Sequence, residues 1–223
     1  MQLSAVILAR TLAFLDVNEL NPRGSVFFPK IVAAIVERYG FQTFPNKPEE
    51  FDESKGVTFA DGYFDGQAIE NLTLYNDGIK LDVRSSTTQG SDILKGILEW
   101  LASDYGVSYG PKTISRWNFV SNVAFDWDLD IDFIGTALSA LAERVTKELK
   151  HDGRVTDGFH VESINIDLDR TFGEKQIAPF TIQRRKKIAF SEGKYFSAAP
   201  LPTDVHISVL EEFEANFRNQ KKI

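Results

Sequence analysis

Apolar and polar residues alternate along most of one stretch in the middle of the chain, and this alternation limits what the chain can fold into. A period of two is typical of a β-strand that packs one face on a core and turns the other toward water. The pattern therefore predicts a half-buried strand of an antiparallel sheet. The apolar positions are Phe119, Val123, Phe125, Trp127 and Leu129, and the polar ones are Asn118, Asn122, Asp126 and Asp128.

Apolar residues at helical spacing predict four helices between the strands. Gly40 supplies a left-handed end for the first helix. Ser91 is expected to cap the second helix, Asp130 or Asp132 the third, and Thr203 the last. The third helix has the most regular apolar stripe, with steps of four, three, four and four residues. The stripe consists of Ile134, Leu138, Leu141, Val145 and Leu149.

Taken in order, the first half of the chain reads βαβββα and the second βαββα. This order predicts an α+β fold, mostly antiparallel sheet with helices packed on one face. The halves, 1–110 and 111–223, form either two domains or one continuous domain. Residues 69–74 and 161–166 share one order of apolar, Glu and polar residues, which indicates an internal duplication. The other predicted strands lie at about 3–17, 57–64, 68–75, 79–84, 159–169 and 179–190.

Composition excludes several classes of function. The 223 residues are 43% hydrophobic, which is enough for compact cores. The net charge of −7 argues against nucleic acids and anionic membrane surfaces as partners. Without cysteine there can be no disulfide, thiolate zinc site or cysteine nucleophile. Arg10 interrupts the apolar run from Ala5 to Val17, so we expect no membrane span, no secretory signal and a cytoplasmic location.

A row of aspartates is the first candidate site. Asp126 and Asp128 lie about 7 Å apart on one face of the predicted strand, and Asp167 and Asp169 repeat the spacing. Such carboxylates could hold Mg²⁺ or Mn²⁺ for a metal-dependent hydrolase or phosphoesterase. The basic run Arg184–Lys187 offers another explanation, because cations on a neighbouring strand would neutralise the acids. We prefer this second interpretation, which needs no cofactor.

The second candidate is a hydroxyl-rich stretch that leads from a strand into a helix. A helix N-terminus attracts anions, and hydroxyl and guanidinium groups add hydrogen-bond donors. The stretch predicts a site for a small anion or a nucleotide, although a turn with a helix cap explains the same residues. Its members are Arg84, Ser85, Ser86, Thr87 and Thr88.

Catalytic signatures are missing from the sequence. It contains no Gly-x-Ser-x-Gly elbow, P-loop or His-Glu-x-x-His motif, and His151, His160 and His206 belong to no known pattern. Phenylalanine is abundant around the acidic, proline-bearing segment 41–56, where it either anchors that segment to the core or contacts a partner with a basic surface. Anchoring is the preferred interpretation.

These observations favour a soluble, non-enzymatic protein that acts through protein–protein contacts, as a structural or adaptor component or as a homo-oligomer. The metal-dependent hydrolase and the anion or nucleotide sensor are the two alternatives.

Overall fold

A computed structural model describes residues 1–24, 26–52, 54–131, 135–151, 158–168 and 177–220. The chain forms two compact units. The N-terminal unit comprises Val6–Ser121 and Pro200–Asp204, and the C-terminal unit comprises Met1–Ala5, Asn122–Ala199 and Val205–Ile223.

The N-terminal unit is an antiparallel sheet with two long helices. Its strands lie in the order β2-β3-β4-β1-β5. β1 pairs with β4 so that Ala9 lies opposite Val83 and Thr11 opposite Leu81. The elements are β1 (Gln2–Phe14), α1 (Val17–Leu20), α2 (Phe28–Tyr39), β2 (Val57–Phe64), β3 (Gln67–Tyr75), β4 (Gly78–Val83), α3 (Thr87–Tyr105) and β5 (Arg116–Asp126).

One face of this sheet carries the core. Apolar residues of α2 and α3 pack in a single cluster with alternate residues of the strands. The two helices also contact each other, because the rings of Tyr39 and Trp100 meet edge to face at 6.0 Å. On β1, the buried residues Ala9, Thr11 and Ala13 alternate with half-buried ones. The alternation of buried and half-buried residues along β1 therefore marks the side of the sheet that the helices cover.

Helix α2 forms where the sequence predicts it. Pro29 occupies its first turn, where a missing N–H costs nothing, and Gly40 ends it in the left-handed region with φ 61°. The prediction for α3 was wrong at its start, because the helix begins at Thr87 and Ser86 is its N-cap. Ser91 instead lies inside the helix and donates to the Thr87 carbonyl.

The segment 41–56 is anchored to the N-terminal unit. Thr43 pairs with Ala60 at the edge of β2, and Pro48–Phe51 form a 3₁₀ turn. Phe41 is buried, and the Phe51 ring packs edge to face on Phe28 at 6.1 Å. The preferred interpretation of its aromatic residues is therefore confirmed for Phe41 and Phe51.

In the C-terminal unit the strands lie in the order β5-β8-β7-β6. The rings of Phe125, Trp127 and Tyr195 pack together in its core, and Phe213 of α5 adds a ring 5.6 Å from Trp127. The further elements are α4 (Thr136–His151), β6 (Ser163–Ile166), β7 (Phe180–Arg184), β8 (Lys194–Ala199) and α5 (Thr203–Gln220).

The single strand predicted over 179–190 is wrong, because the chain turns after Arg184 and returns as β8. Lys187 has φ 64° and Gly193 has φ 60° on either side of a short 3₁₀ turn. A lysine in the left-handed region gives no turn signal in the sequence. In the described residues the second half therefore reads βαβββα, which is the order of the first half without its short helix α1, and the α+β class is confirmed.

Candidate functional site

The five residues of the predicted anion site lie between β4 and α3. Arg84 forms an ion pair with Glu70 on the surface. The Ser86 hydroxyl caps the helix by accepting from the Gln89 N–H at 3.1 Å, and Thr88 is exposed. The Ser85 hydroxyl is buried and has no hydrogen-bond partner within the described ranges.

Thr87 faces the interior, where it is 0% exposed. Its N–H donates to the Thr203 hydroxyl at 3.1 Å, and the Thr203 N–H donates to the Thr87 hydroxyl at 2.9 Å. The Thr87 carbonyl accepts from the hydroxyl of Thr11 at 3.2 Å. The helix start therefore already uses several of its donors within the protein. The anion site stays a prediction.

Three aspartates at and just after the end of β5 each face a different cation of the C-terminal unit. The Asp126 carboxylate lies 2.9 Å from the Lys194 ammonium. Asp128 pairs with Arg218 of α5, and Asp130 pairs with Arg184 of β7. The charge of this row is thus balanced from within the chain, and the three carboxylates are drawn toward three different elements.

Of the remaining predicted metal ligands, only Asp167 lies within the described residues. Asp167 follows β6 and accepts from the Leu168 N–H at 2.9 Å, whereas Asp169 lies outside the described residues. Within the part of the chain that the structure describes, no group of three or more His, Asp or Glu side chains could hold a metal ion. The Mg²⁺ or Mn²⁺ site at Asp126, Asp128, Asp167 and Asp169 stays a prediction.

Arg184 is the most buried cation of this region, with 3% exposure. Its guanidinium donates to the Val161 carbonyl at 2.9 Å and to the Tyr195 hydroxyl at 3.2 Å, and it stacks on the Phe190 ring at 4.4 Å. Tyr195 in turn donates to the Leu129 carbonyl at 3.0 Å. The sequence predicted that the run Arg184–Lys187 neutralises the aspartates from a neighbouring strand. Arg184 pairs with Asp130, but Asp126 and Asp128 pair with Lys194 and Arg218, which lie outside that run. Arg184 thus joins β7, β8 and the residues that follow β5 inside the unit.

A buried serine–histidine pair in the C-terminal unit resembles the start of a catalytic dyad. The Ser197 hydroxyl lies 2.8 Å from Nε2 of His206 and 2.6 Å from the Thr181 carbonyl. A carbonyl can only accept, so the single hydroxyl proton points at Thr181, and Nε2 must donate to Ser197. A base that activates serine needs the opposite polarity. This pair therefore has a structural role.

Helix α4 carries an exposed apolar surface. Leu138 is 48% exposed and Leu141 is 59% exposed, although both belong to the regular stripe of this helix. None of the α4 side chains that the structure describes is buried. We refer to Leu138, Leu141, Val145 and Leu149 as the α4 stripe. A helix of this kind normally covers its stripe with a partner surface.

The unit that contains α4 also has an open strand edge. β6 is four residues long and ends the strand order, with β7 as its neighbour. Ile166 on this strand is 62% exposed, and Leu168 just after it is also exposed. An edge strand presents unpaired backbone groups to which another chain can add, but a strand as short as β6 limits such pairing.

No protein-family model matches this sequence, and a comparison with curated proteins gives no match. Among the helices that the structure describes, none is long and apolar enough to cross a membrane.

Proposed function

We propose that the chain is a non-enzymatic protein of the cytoplasm that acts by protein–protein contact, and that a second copy of the chain covers the α4 stripe. The exposure of Leu138 and Leu141 on an amphipathic helix is the observation that carries this proposal. Full burial of an exposed leucine side chain contributes about 1.5–3 kcal/mol. Leu138 and Leu141 are about half exposed, so covering each of them contributes about half of that free energy.

Charge supports a second copy as the occupant. Beside the stripe, Arg144 and Glu148 form an ion pair at 2.6 Å, so this flank carries no net charge. Like charges therefore do not oppose the approach of an identical surface, although the whole chain carries −7. In a two-fold dimer the same stripe would contribute from both partners, as isologous interfaces require.

The experiment is sedimentation velocity over a range of concentrations, with Leu141→Glu as the variant. We expect a dimer whose dissociation constant rises by about tenfold or more, because each copy would bury an unpaired carboxylate. Ala140→Glu is the matched control, since it adds the same charge about 100° around the same helix. A chain that is monomeric at every concentration, or equal effects of both variants, would overturn the proposal.

A further inference from the structure

A second surface that suits a partner is a groove in the N-terminal unit, between the segment 41–56 and the edge strand β2. It encloses about 290 Å³. Phe44, which is 37% exposed, and Pro45 form its apolar wall. Glu49, Glu50 and Asp52 line it as well. We refer to these five residues as the acidic groove.

The groove is held in shape from both sides. The Thr43 N–H donates to the Ala60 carbonyl at 3.2 Å, and the Ala60 N–H donates back at 2.8 Å, which fixes the segment to β2. At the other end the Phe51 ring is packed against Phe28. A groove that is already ordered loses less entropy when it binds a ligand.

The acidic groove has more negative than positive charge. Among the described residues that line it, Lys55 is the one cation, and its ammonium lies 3.1 Å from the Asp52 carboxylate. Three carboxylates and one ammonium leave an excess of two negative charges. Glu49 is exposed, and its carboxylate therefore faces solvent at the groove.

Hydrogen bonds favour the ionised form of two of the carboxylates. N–H groups of Asn46 and Lys47 donate to Glu50 at 2.9 and 3.2 Å, and these hydrogen bonds lower the pKa of Glu50. Hydrogen bonds from Ser54 and Lys55 lower the pKa of Asp52 in the same way. Both groups therefore keep their charge in mildly acidic solution.

We propose that the acidic groove binds a basic peptide segment, with the aliphatic stem of a lysine or arginine on Phe44 and Pro45 and its charged head beside Glu49 and Glu50. Long cationic side chains combine an apolar stem with a charged end, and both features have a matching surface here. The same excess charge repels nucleic acids. This site lies on a different unit from the α4 stripe, so either proposal can fail without the other.

The test is the fluorescence anisotropy of a labelled hexa-arginine peptide with the full chain at low ionic strength. We expect Glu49→Gln to raise the dissociation constant about fivefold and Phe44→Ala to raise it about threefold. Glu37→Gln is the matched control, because it removes the same charge from an exposed position on α2. Thermal melts of all three variants check that they remain folded.

The outcomes distinguish binding of the peptide in the acidic groove from unspecific attraction of the peptide to a negatively charged protein. Equal weakening by Glu49→Gln and Glu37→Gln, without an effect of Phe44→Ala, would mean that only the net charge attracts the peptide. That result, or no binding of hexa-arginine, would overturn the proposal. Amide shifts in NMR spectra confined to Thr43, Gly56, Thr58 and their neighbours would support it.

Discussion

Thr87 and Thr203 each accept a hydrogen bond from the other's backbone N–H through their hydroxyls, although they lie 116 positions apart in the chain. Each is the first residue of the last helix in its half, and each follows the last strand, β4 or β8, by four positions. The two strands are also equally long and separated by the same 116 positions. This equivalence supports the internal duplication, which remains a proposal.

Replacing either threonine with valine should destabilise the protein by about 1–3 kcal/mol, because a buried N–H then loses its acceptor. The two losses should not add, since both hydrogen bonds join the same two helix ends. Urea unfolding of Thr87→Val, Thr203→Val and the double variant measures the coupling. Thr88→Val is the control at an exposed position, and an equal cost for Thr87→Val and Thr88→Val would contradict the prediction.

The two stretches that indicated the duplication in the sequence are not the ones that occupy equivalent places in the two halves. The similar stretches 69–74 and 161–166 belong to β3 and to the region that begins β6. Those two strands hold different places in their halves, because β3 is the second of three successive strands and β6 is the first. Alternating strands resemble each other wherever they lie. The equivalent strands are β4 and β8, and the sequence did not separate β8 from β7.

Element types were predictable where local chemistry decides them, and the candidate site was not. Gly40 and the turn before Gly78 fix their neighbours through backbone conformation, so helix α2 and the strands β3 and β4 lie where the sequence predicts them. The burial of Arg184 depends on its contacts with Asp130 and Tyr195, and Asp130 lies far from it in the sequence. Periodicity describes faces of strands, but it does not tell which one of four consecutive cations becomes buried.

Substituting Arg184 with methionine should destabilise the protein by about 3 kcal/mol, because buried carbonyl and hydroxyl acceptors lose their donor. Asp130 is half exposed and can be solvated, so it adds little to the cost. Chemical denaturation compares this variant with Arg185→Met, which removes the neighbouring, exposed cation. We expect less than about 0.5 kcal/mol for the control. Equal losses would show that the burial of Arg184 has no energetic role.

Gly193 connects the 3₁₀ turn to β8 in a place without space for a side chain. A Cβ there would lie 1.9 Å from the Trp127 carbonyl oxygen, and φ is +60°. Gly193→Ala should therefore cost about 3 kcal/mol or more, since the strand end must move. Gly106→Ala is the control, because it shares a positive φ but meets nothing within 4 Å. Backbone strain alone predicts that Gly106→Ala destabilises the protein by about 1–2 kcal/mol. Equal losses of thermal stability in the two variants would contradict the steric clash proposed at Gly193.

Acid should weaken the C-terminal unit through Glu214. Burial acts to raise the pKa of this carboxyl, but hydrogen bonds from the Met1 amino group and Arg218 lower it below the ordinary value. A carboxyl whose pKa is lower in the folded protein than in the unfolded chain stabilises the fold above the ordinary pKa, near 4.5. This stabilisation is lost as the pH falls toward the pKa of the folded state. Urea unfolding should show that Glu214→Gln loses less free energy of unfolding below about pH 5 than the unaltered chain does.

The exposed Glu212→Gln on the same helix is the control for that pH series, and we expect it to keep the full acid dependence of the unaltered chain. If Glu214→Gln and the unaltered chain lose stability in parallel between neutral and acidic pH, another group causes the acid sensitivity.

Divalent cations should leave the stability of the protein unchanged. Asp126 and Asp128 already face the cations of Lys194 and Arg218, so a metal ion would have to displace a positive charge before it could bind. A site filled at 100 times its dissociation constant would add about 2.7 kcal/mol to the free energy of unfolding. Thermal melts with Mg²⁺ and Mn²⁺ test this expectation. A rise in Tm that Asp126→Asn abolishes would contradict it and favour the metal-dependent hydrolase instead.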